Sequence, residues 1–289
     1  MATTLKTLKS ALIGAGVLAL GAIAPNASAA LINDFAFQTS GGFIDGSATC
    51  DGGGTCGLVY ADADDPANTR RSLSWGTPSN PLNAKSNLTL THFAGDITTN
   101  GGWTTVDQVV HTNNVITAGG SYMNTVDLFS RFLLTDYPFV DLFDTQKISF
   151  DETLNTATEA QCVGLNPLQT RCDDVFNIQP LTGSFVFLTQ DKWQYTLSFQ
   201  FLSPDLSAAI LEVGADGYTG YFPGSDDGTF DIYTREWVSE DGVYSPGIST
   251  LWIQARIDAR YVPEPGTLAL LGLGLAGLGF ASRRRKLAD

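Results

Sequence analysis

The chain of 289 residues is 43% hydrophobic, 11% aromatic and only 16% charged, against roughly 25% charged in an average soluble protein, and so much apolar surface excludes disorder along most of its length. Thirty acidic against 16 basic residues give a formal net charge of −14, which excludes a nucleic-acid partner, because phosphate binding needs cations that release counterions. No internal stretch reaches the ~20 apolar residues of a membrane span, so a polytopic membrane protein is excluded as well.

Residues 1–29 read as a secretory signal peptide with a helical apolar centre. Lys6 and Lys9 are its only charges, residues 11–24 form an unbroken apolar run, and Pro25 ends the helix. Ala27-Ser28-Ala29 supply the small residues that a signal peptidase needs, so cleavage falls after Ala29 or, alternatively, after Ala30. Gly14-Ala15-Gly16-Val17-Leu18-Ala19 fits a dinucleotide-binding pattern by letter. An export segment supplies neither the strand before such a turn nor the acidic residue ~20 positions on, and the match is accidental.

Residues 30–262 form the exported domain. Removing the two acidic and six basic residues of the two ends leaves 28 against 10, a net of −18. Gly, Asp, Asn, Ser and Thr separate short apolar runs, the pattern of an all-β fold, and the reading is a β-sandwich. Strands are expected at 32–38, 56–61, 71–75, 86–93, 104–111, 125–134, 174–178, 184–189, 192–202, 209–213, 230–237 and 251–261. The clearest is 192–202, where Trp193, Tyr195, Leu197, Phe199 and Phe201 alternate with polar residues. That period of two packs one face and wets the other.

Four cysteines stand at 50, 56, 162 and 172. Their grouping predicts disulfides Cys50–Cys56 and Cys162–Cys172 in an oxidising compartment. The spacings do not match a zinc knuckle. Two carboxylate clusters, Asp62, Asp64 and Asp65 and then Asp226, Asp227 and Asp231, are calcium candidates in oxygen-rich loops. Neither has EF-hand spacing, and no cofactor is expected.

The inventory for catalysis is thin. His92 and His111 are the only histidines, and no G-x-S-x-G or H-E-x-x-H occurs. His92 falls in an expected strand, where a partly buried, hydrogen-bonded imidazole is the ordinary reading. Glu236, Glu240 and Asp241 are candidates for the paired carboxylates of glycoside cleavage, with a solvated hairpin end as the plainer account. Trp75, Trp103, Trp237 and Trp252 are the candidates for stacking on sugars, or else core.

The last residues have three parts: Val262-Pro263-Glu264-Pro265-Gly266, the apolar run 267–281, and Ser282 followed by Arg283, Arg284, Arg285 and Lys286. From Gly266 to Ser282 a helix would extend ~25 Å, slightly short of a ~30 Å hydrocarbon core. The basic cluster would remain on the cytoplasmic side and stop transfer. Its many glycines make this helix marginal, suited to a transient anchor. The glycine pattern Gly272-Leu273-Gly274-Leu275-Ala276-Gly277 lies in this membrane-directed run and is not a cofactor site.

Residues 263–289 closely resemble the PEP-CTERM sorting signal of Gram-negative bacteria, with Pro263, Glu264 and Pro265 as the motif and Arg283–Lys286 as the basic stop. The resemblance implies recognition by a membrane-embedded exosortase, processing near the motif, and release or display at the cell surface among exopolysaccharide. Ser72-Leu73-Ser74-Trp75-Gly76-Thr77-Pro78, Ser86-Asn87-Leu88-Thr89-Leu90-Thr91-His92 and Cys172-Asp173-Asp174-Val175-Phe176 are similar to the THxN group of PEP-CTERM proteins. The chain departs from that group at its defining asparagine, where it has Ala94. The expected function is therefore that of a non-enzymatic surface or biofilm-matrix protein. A carbohydrate-binding β-sandwich is the alternative, and a secreted glycan hydrolase a third reading.

Overall fold

A computed structural model describes residues 30–51, 56–78, 84–116, 122–152, 167–169, 172–178, 183–205, 208–214, 217–218, 229–236, 238–240, 243–262, 266 and 270–277. The chain divides into two compact units. One comprises Ile32–Thr189 and Gln194–Tyr261, the other Met1–Leu31, Gln190–Trp193 and Val262–Asp289. In the smaller unit residues 270–277 are helical and exposed. Among the described residues no helix is long and apolar enough to cross a membrane, which says nothing about a β-barrel. The expected signal helix, with Ala29, lies outside the described residues, as do the motif residues Pro263–Pro265 and the basic stop Arg283–Lys286.

The larger unit is built of strands. In chain order they are β1 (Asp34–Ile44), β2 (Thr49–Cys50), β3 (Val59–Ala63), β4 (Thr69–Trp75), β5 (Ser86–His92) and β6 (Ala94–Thr98). Next come β7 (Thr104–Asn113), β8 (Met123–Leu134), β9 (Asp141–Asp151), β10 (Asp174–Ile178), β11 (Gly183–Gln190) and β12 (Trp193–Leu202). The chain continues through β13 (Ala208–Gly214), β14 (Gly217–Tyr218), β15 (Thr229–Thr234), β16 (Val238–Glu240), β17 (Val243–Ser245) and β18 (Gly247–Tyr261). Sixteen of them join in one sheet, ordered β11-β12-β18-β7-β5-β4-β1-β8-β9-β10-β15-β13-β14, with β2 on β8, β3 on β4 and β6 on β1. The pairings are antiparallel. β16 and β17 pair only with each other.

The β-rich expectation is met, but the strands make one curled sheet rather than two separate ones. His111 on β7 and Phe176 on β10 are six positions apart in the sheet order. At ~4.8 Å per strand a flat sheet would separate them by ~29 Å, yet their ring centroids are 4.9 Å apart. The sheet therefore folds back on itself, and its concave face holds the core. Phe43, Leu73, Trp75, Leu88, Leu90, Met123, Val126, Leu128, Phe150, Phe176 and Leu251 pack together there. A further apolar group gathers Phe35 of β1 against Tyr195 of β12, edge to face at 5.3 Å, with Leu197 and Ile257 also buried.

Most expected strands form, because alternation there matches one packed and one wetted face. β12 buries Tyr195, Leu197 and Phe199, as period two requires. β2, β6, β9, β14, β16 and β17 lie outside the expected strands. β9 buries Gln146, Ile148 and Phe150 on the inner side but points Phe143 outward, so its sequence does not alternate. β6 buries Ile97 alone.

β1 turns the curl. Gly41 has φ +139°, and a Cβ there would lie 2.2 Å from the Phe129 carbonyl oxygen of β8. Gly41→Ala should lower the unfolding free energy by about 2 kcal/mol or more through backbone strain, and Trp75→Ala by about 3–5 kcal/mol through its cavity. Urea unfolding of the exported protein measures both; an unchanged midpoint in Gly41→Ala would mean that β1 relaxes freely.

Candidate functional site

Among the described residues a polar cluster surrounds His92, the last residue of β5. Its Nδ1 is 2.7 Å from Asp107 Oδ1 on β7, and its Nε2 is 3.2 Å from the Gly41 carbonyl oxygen and 3.4 Å from Asp64 Oδ2. A carbonyl can only accept, so Nε2 carries a proton. With a carboxylate facing Nδ1 as well, the arrangement suits an imidazolium. Burial works against that charge, but the hydrogen bond and charge of Asp107, the Gly41 carbonyl and Asp64 outweigh it and raise the His92 pKa above 6.5. Asp107 is raised too, first by burial, with His92 and Thr39 pulling it back. The Thr39 hydroxyl donates to Asp107 Oδ1 at 2.7 Å and accepts from the Phe93 N–H. His92 thus sits as expected, half-buried and hydrogen-bonded in a strand.

His111 is the opposite case. It is 2% exposed, stacked on Trp75 at 5.7 Å and 11°, and burial lowers its pKa to about 3. Its Nδ1 meets Thr234 Oγ1 at 2.9 Å. A neutral imidazole in an aromatic core is a packing group and has no access to a substrate. It also lines an apolar cavity of about 50 Å³, with Leu90, Leu128, Ile148 and Ile232.

The first acidic cluster is already occupied by cations. Asp64 Oδ2 pairs with Arg71 Nε at 3.3 Å besides His92, and Asp65 approaches Arg131 at 3.8 Å. Asp62 is exposed. Among the described residues no group of three or more His, Cys, Asp or Glu could hold a metal ion. Asp231 is buried and accepts from Asn177 Nδ2, while Asp226 and Asp227 lie outside the described residues.

Trp75 follows the core reading: it is 0% exposed, because strand alternation turns it inward with Leu73. One expectation is corrected. Glu236, read as part of a solvated hairpin end, is 2% exposed. The side chains of Glu240, Asp241 and Trp237 are not described. Trp103 is half-buried with the Arg256 guanidinium 4.9 Å from its ring, and Trp252 is half-buried. Cys50 and Cys56 form the expected disulfide. Cys172 is disulfide-bonded too, and Cys162 lies outside the described residues.

The outer face of β8 and β9 carries groups that the sequence reading passed over. Arg131 stands opposite Phe143, and Phe129 opposite Thr145. The Phe129 and Phe143 rings stack with centroids 6.4 Å apart at 29°. Arg131 donates twice to Asp141, at 2.7 and 2.8 Å, which raises the guanidinium pKa and lowers that of Asp141. Lys147 lies 3.6 Å from Asp127. A hairpin signal was available: the turn residues Thr135-Asp136-Tyr137-Pro138 follow β8 directly. Asp107 and Thr39 gave no signal, since Asp107 lies 15 residues from His92 and Thr39 lies 68 from Asp107.

The family described as the PEP-CTERM protein-sorting motif matches residues 262–286. No curated protein matches the chain. The chain thus carries the sorting motif of PEP-CTERM proteins, which implies export, exosortase processing and sorting to the cell surface.

The two histidines give stability a pH optimum. His111 titrates at 6.5 unfolded and about 3 folded, so stability falls as pH drops from 6.5, by about 1.4 kcal/mol per unit. His92 is raised on folding, so its contribution is complete below 6.5 and is lost as pH rises through its folded pKa. Asp107, also raised, acts with the sign of His92 from 3.8 upward. In thermal unfolding across ~pH 4 to 9, His111→Phe should flatten the acid limb and His92→Gln the alkaline one. An alkaline limb that survives His92→Gln would remove the imidazolium from the account.

Proposed function

We propose that the exported domain is a non-enzymatic surface or matrix protein, held transiently in the inner membrane by its C-terminal helix, then processed and displayed among exopolysaccharide. The sorting motif at 262–286 carries this reading, because it directs the domain to where such polymers lie. The described histidines and several of the acidic residues are held by their neighbours. Both nitrogens of His92 are engaged by neighbours, His111 is sealed in the core, and Asp64 and Asp141 are matched by arginines. None of these groups stands ready as an activated base or nucleophile.

The net charge of −18 shapes the choice of partner. Unscreened like charges oppose the approach of an anionic polymer over a Debye length of ~10 Å at 0.1 M salt. The partner is therefore a neutral glycan, another protein, or an anionic glycan bridged by divalent cations. The carbohydrate-binding alternative has one specific observation in its favour, exposed Phe143 stacked on half-buried Phe129 at the outer face of β8 and β9.

Protein recovered from an exosortase-bearing host should have an intact mass lacking about thirty residues at each end. It should be retained on the host's exopolysaccharide, with and without calcium compared, and leave the polymer's size-exclusion profile unchanged. Full-length protein retaining Arg283–Lys286 at steady state would defeat the sorting reading; progressive shortening of the polymer would make the protein an enzyme.

A further inference from the structure

Two phenylalanine rings stack on the outer face of the β8–β9 pair, Phe143 exposed and Phe129 half-buried beside it. Phe143 is 66% exposed. Its neighbour Phe129 lies diagonally across the β8–β9 pair, and the two rings are co-oriented within 29°. Together they make a small shelf on the convex side of the sheet, away from the core.

The polar groups around that shelf are matched in charge. Arg131, opposite Phe143, is fixed by its paired bonds to Asp141, and Lys147 stands beside Asp127. The surface therefore offers donors and acceptors at fixed positions with little net charge. A pyranose has the complementary form: an apolar C–H face suited to the negative face of an aromatic ring, and a rim of hydroxyls that both donate and accept.

We propose that the outer face of β8 and β9 is a binding platform for a neutral polysaccharide, with one sugar stacked on Phe143, the chain continuing over Phe129, and hydroxyls meeting Arg131 and Asp141. This rests on the reading of the domain as a matrix protein and names its ligand class and site.

Other occupants fit less well. An anionic polymer meets a domain of net charge −18, and the two cations of this face are already paired with Asp141 and Asp127. A strand added along β9 meets exposed Asp144 and Lys147, the kind of charges that block edge pairing. A protein partner needs ~800 Å² per side, far more than two rings provide.

The test is affinity electrophoresis of the exported protein through gels containing laminarin, hydroxyethylcellulose or dextran, with retention on the host's exopolysaccharide run in parallel. Phe143→Ala is the informative variant, since removing an exposed ring leaves the core intact. Phe139→Ala is the control, replacing a ring 64% exposed in the turn of the same hairpin. The expected result is retardation by at least one neutral polymer, weakened about tenfold or more in Phe143→Ala and retained in Phe139→Ala. Equal retardation of Phe143→Ala and the parent, or none by any neutral polymer, overturns the platform. If the parent and Phe143→Ala are then equally retained on the host polymer, the matrix reading stands without this site. If the parent is not retained on it at all, the matrix reading itself fails.

Discussion

Strand β1 changes partner along one edge, and much of the structure depends on how that change is satisfied. Residues Asp34–Gln38 pair with β6 and Phe43–Ile44 with β4, while the opposite edge stays on β8. Between the two ladders the backbone of residues 39–42 lacks a strand on that side, and a buried polar group without a partner costs about 1–3 kcal/mol. Two substitutes fill the interval. The Thr39 N–H donates to the Phe93 carbonyl, and the Gly41 carbonyl accepts from His92 Nε2. His92 does the work of a missing strand residue, and Asp107 and Asp64 keep it in the protonation state that can do so.

The same residue type has opposite fates at two places in the sheet. His92 lies at a strand end with three acceptors around it, which favours the charged ring. His111 lies mid-strand with aromatic rings on several sides, which favours the neutral one. The difference comes from neighbours contributed by other strands, so local sequence could not distinguish them.

That limit also explains which parts of the molecule could be read in advance. Strands such as β12 and β10 were legible because their apolar residues alternate onto one packed face, Tyr195, Leu197 and Phe199 in β12 and Phe176 and Ile178 in β10. β9 was not, because its first half lies at the surface with Phe143 turned outward. The cysteines at 50 and 56 were legible as a pair because the loop between them is short. Asp62, Asp64 and Asp65 read as a possible cation site, because the residues that meet them depend on pairing: Arg71 reaches Asp64 across the β3–β4 hairpin, and Arg131 reaches Asp65 from β8. Tryptophan was a poor guide to an exposed platform. Its large apolar surface makes it the first ring to be buried, and Trp75 is in the core while a phenylalanine is left outside.

The order of strands in the sheet is not their order in the chain. β18, last to be made, lies between β12 and β7, and its ladder with β7 joins residues such as Trp252 and Gln108, far apart in sequence. An export channel that delivers the chain from its N-terminus supplies this joining strand at the end. Until Tyr261 has passed, β7 has an open edge beyond β5, and β11 and β12 have no seam to join. The sheet is then a late product of translocation, completed only as the segment that begins the sorting motif at Val262 arrives.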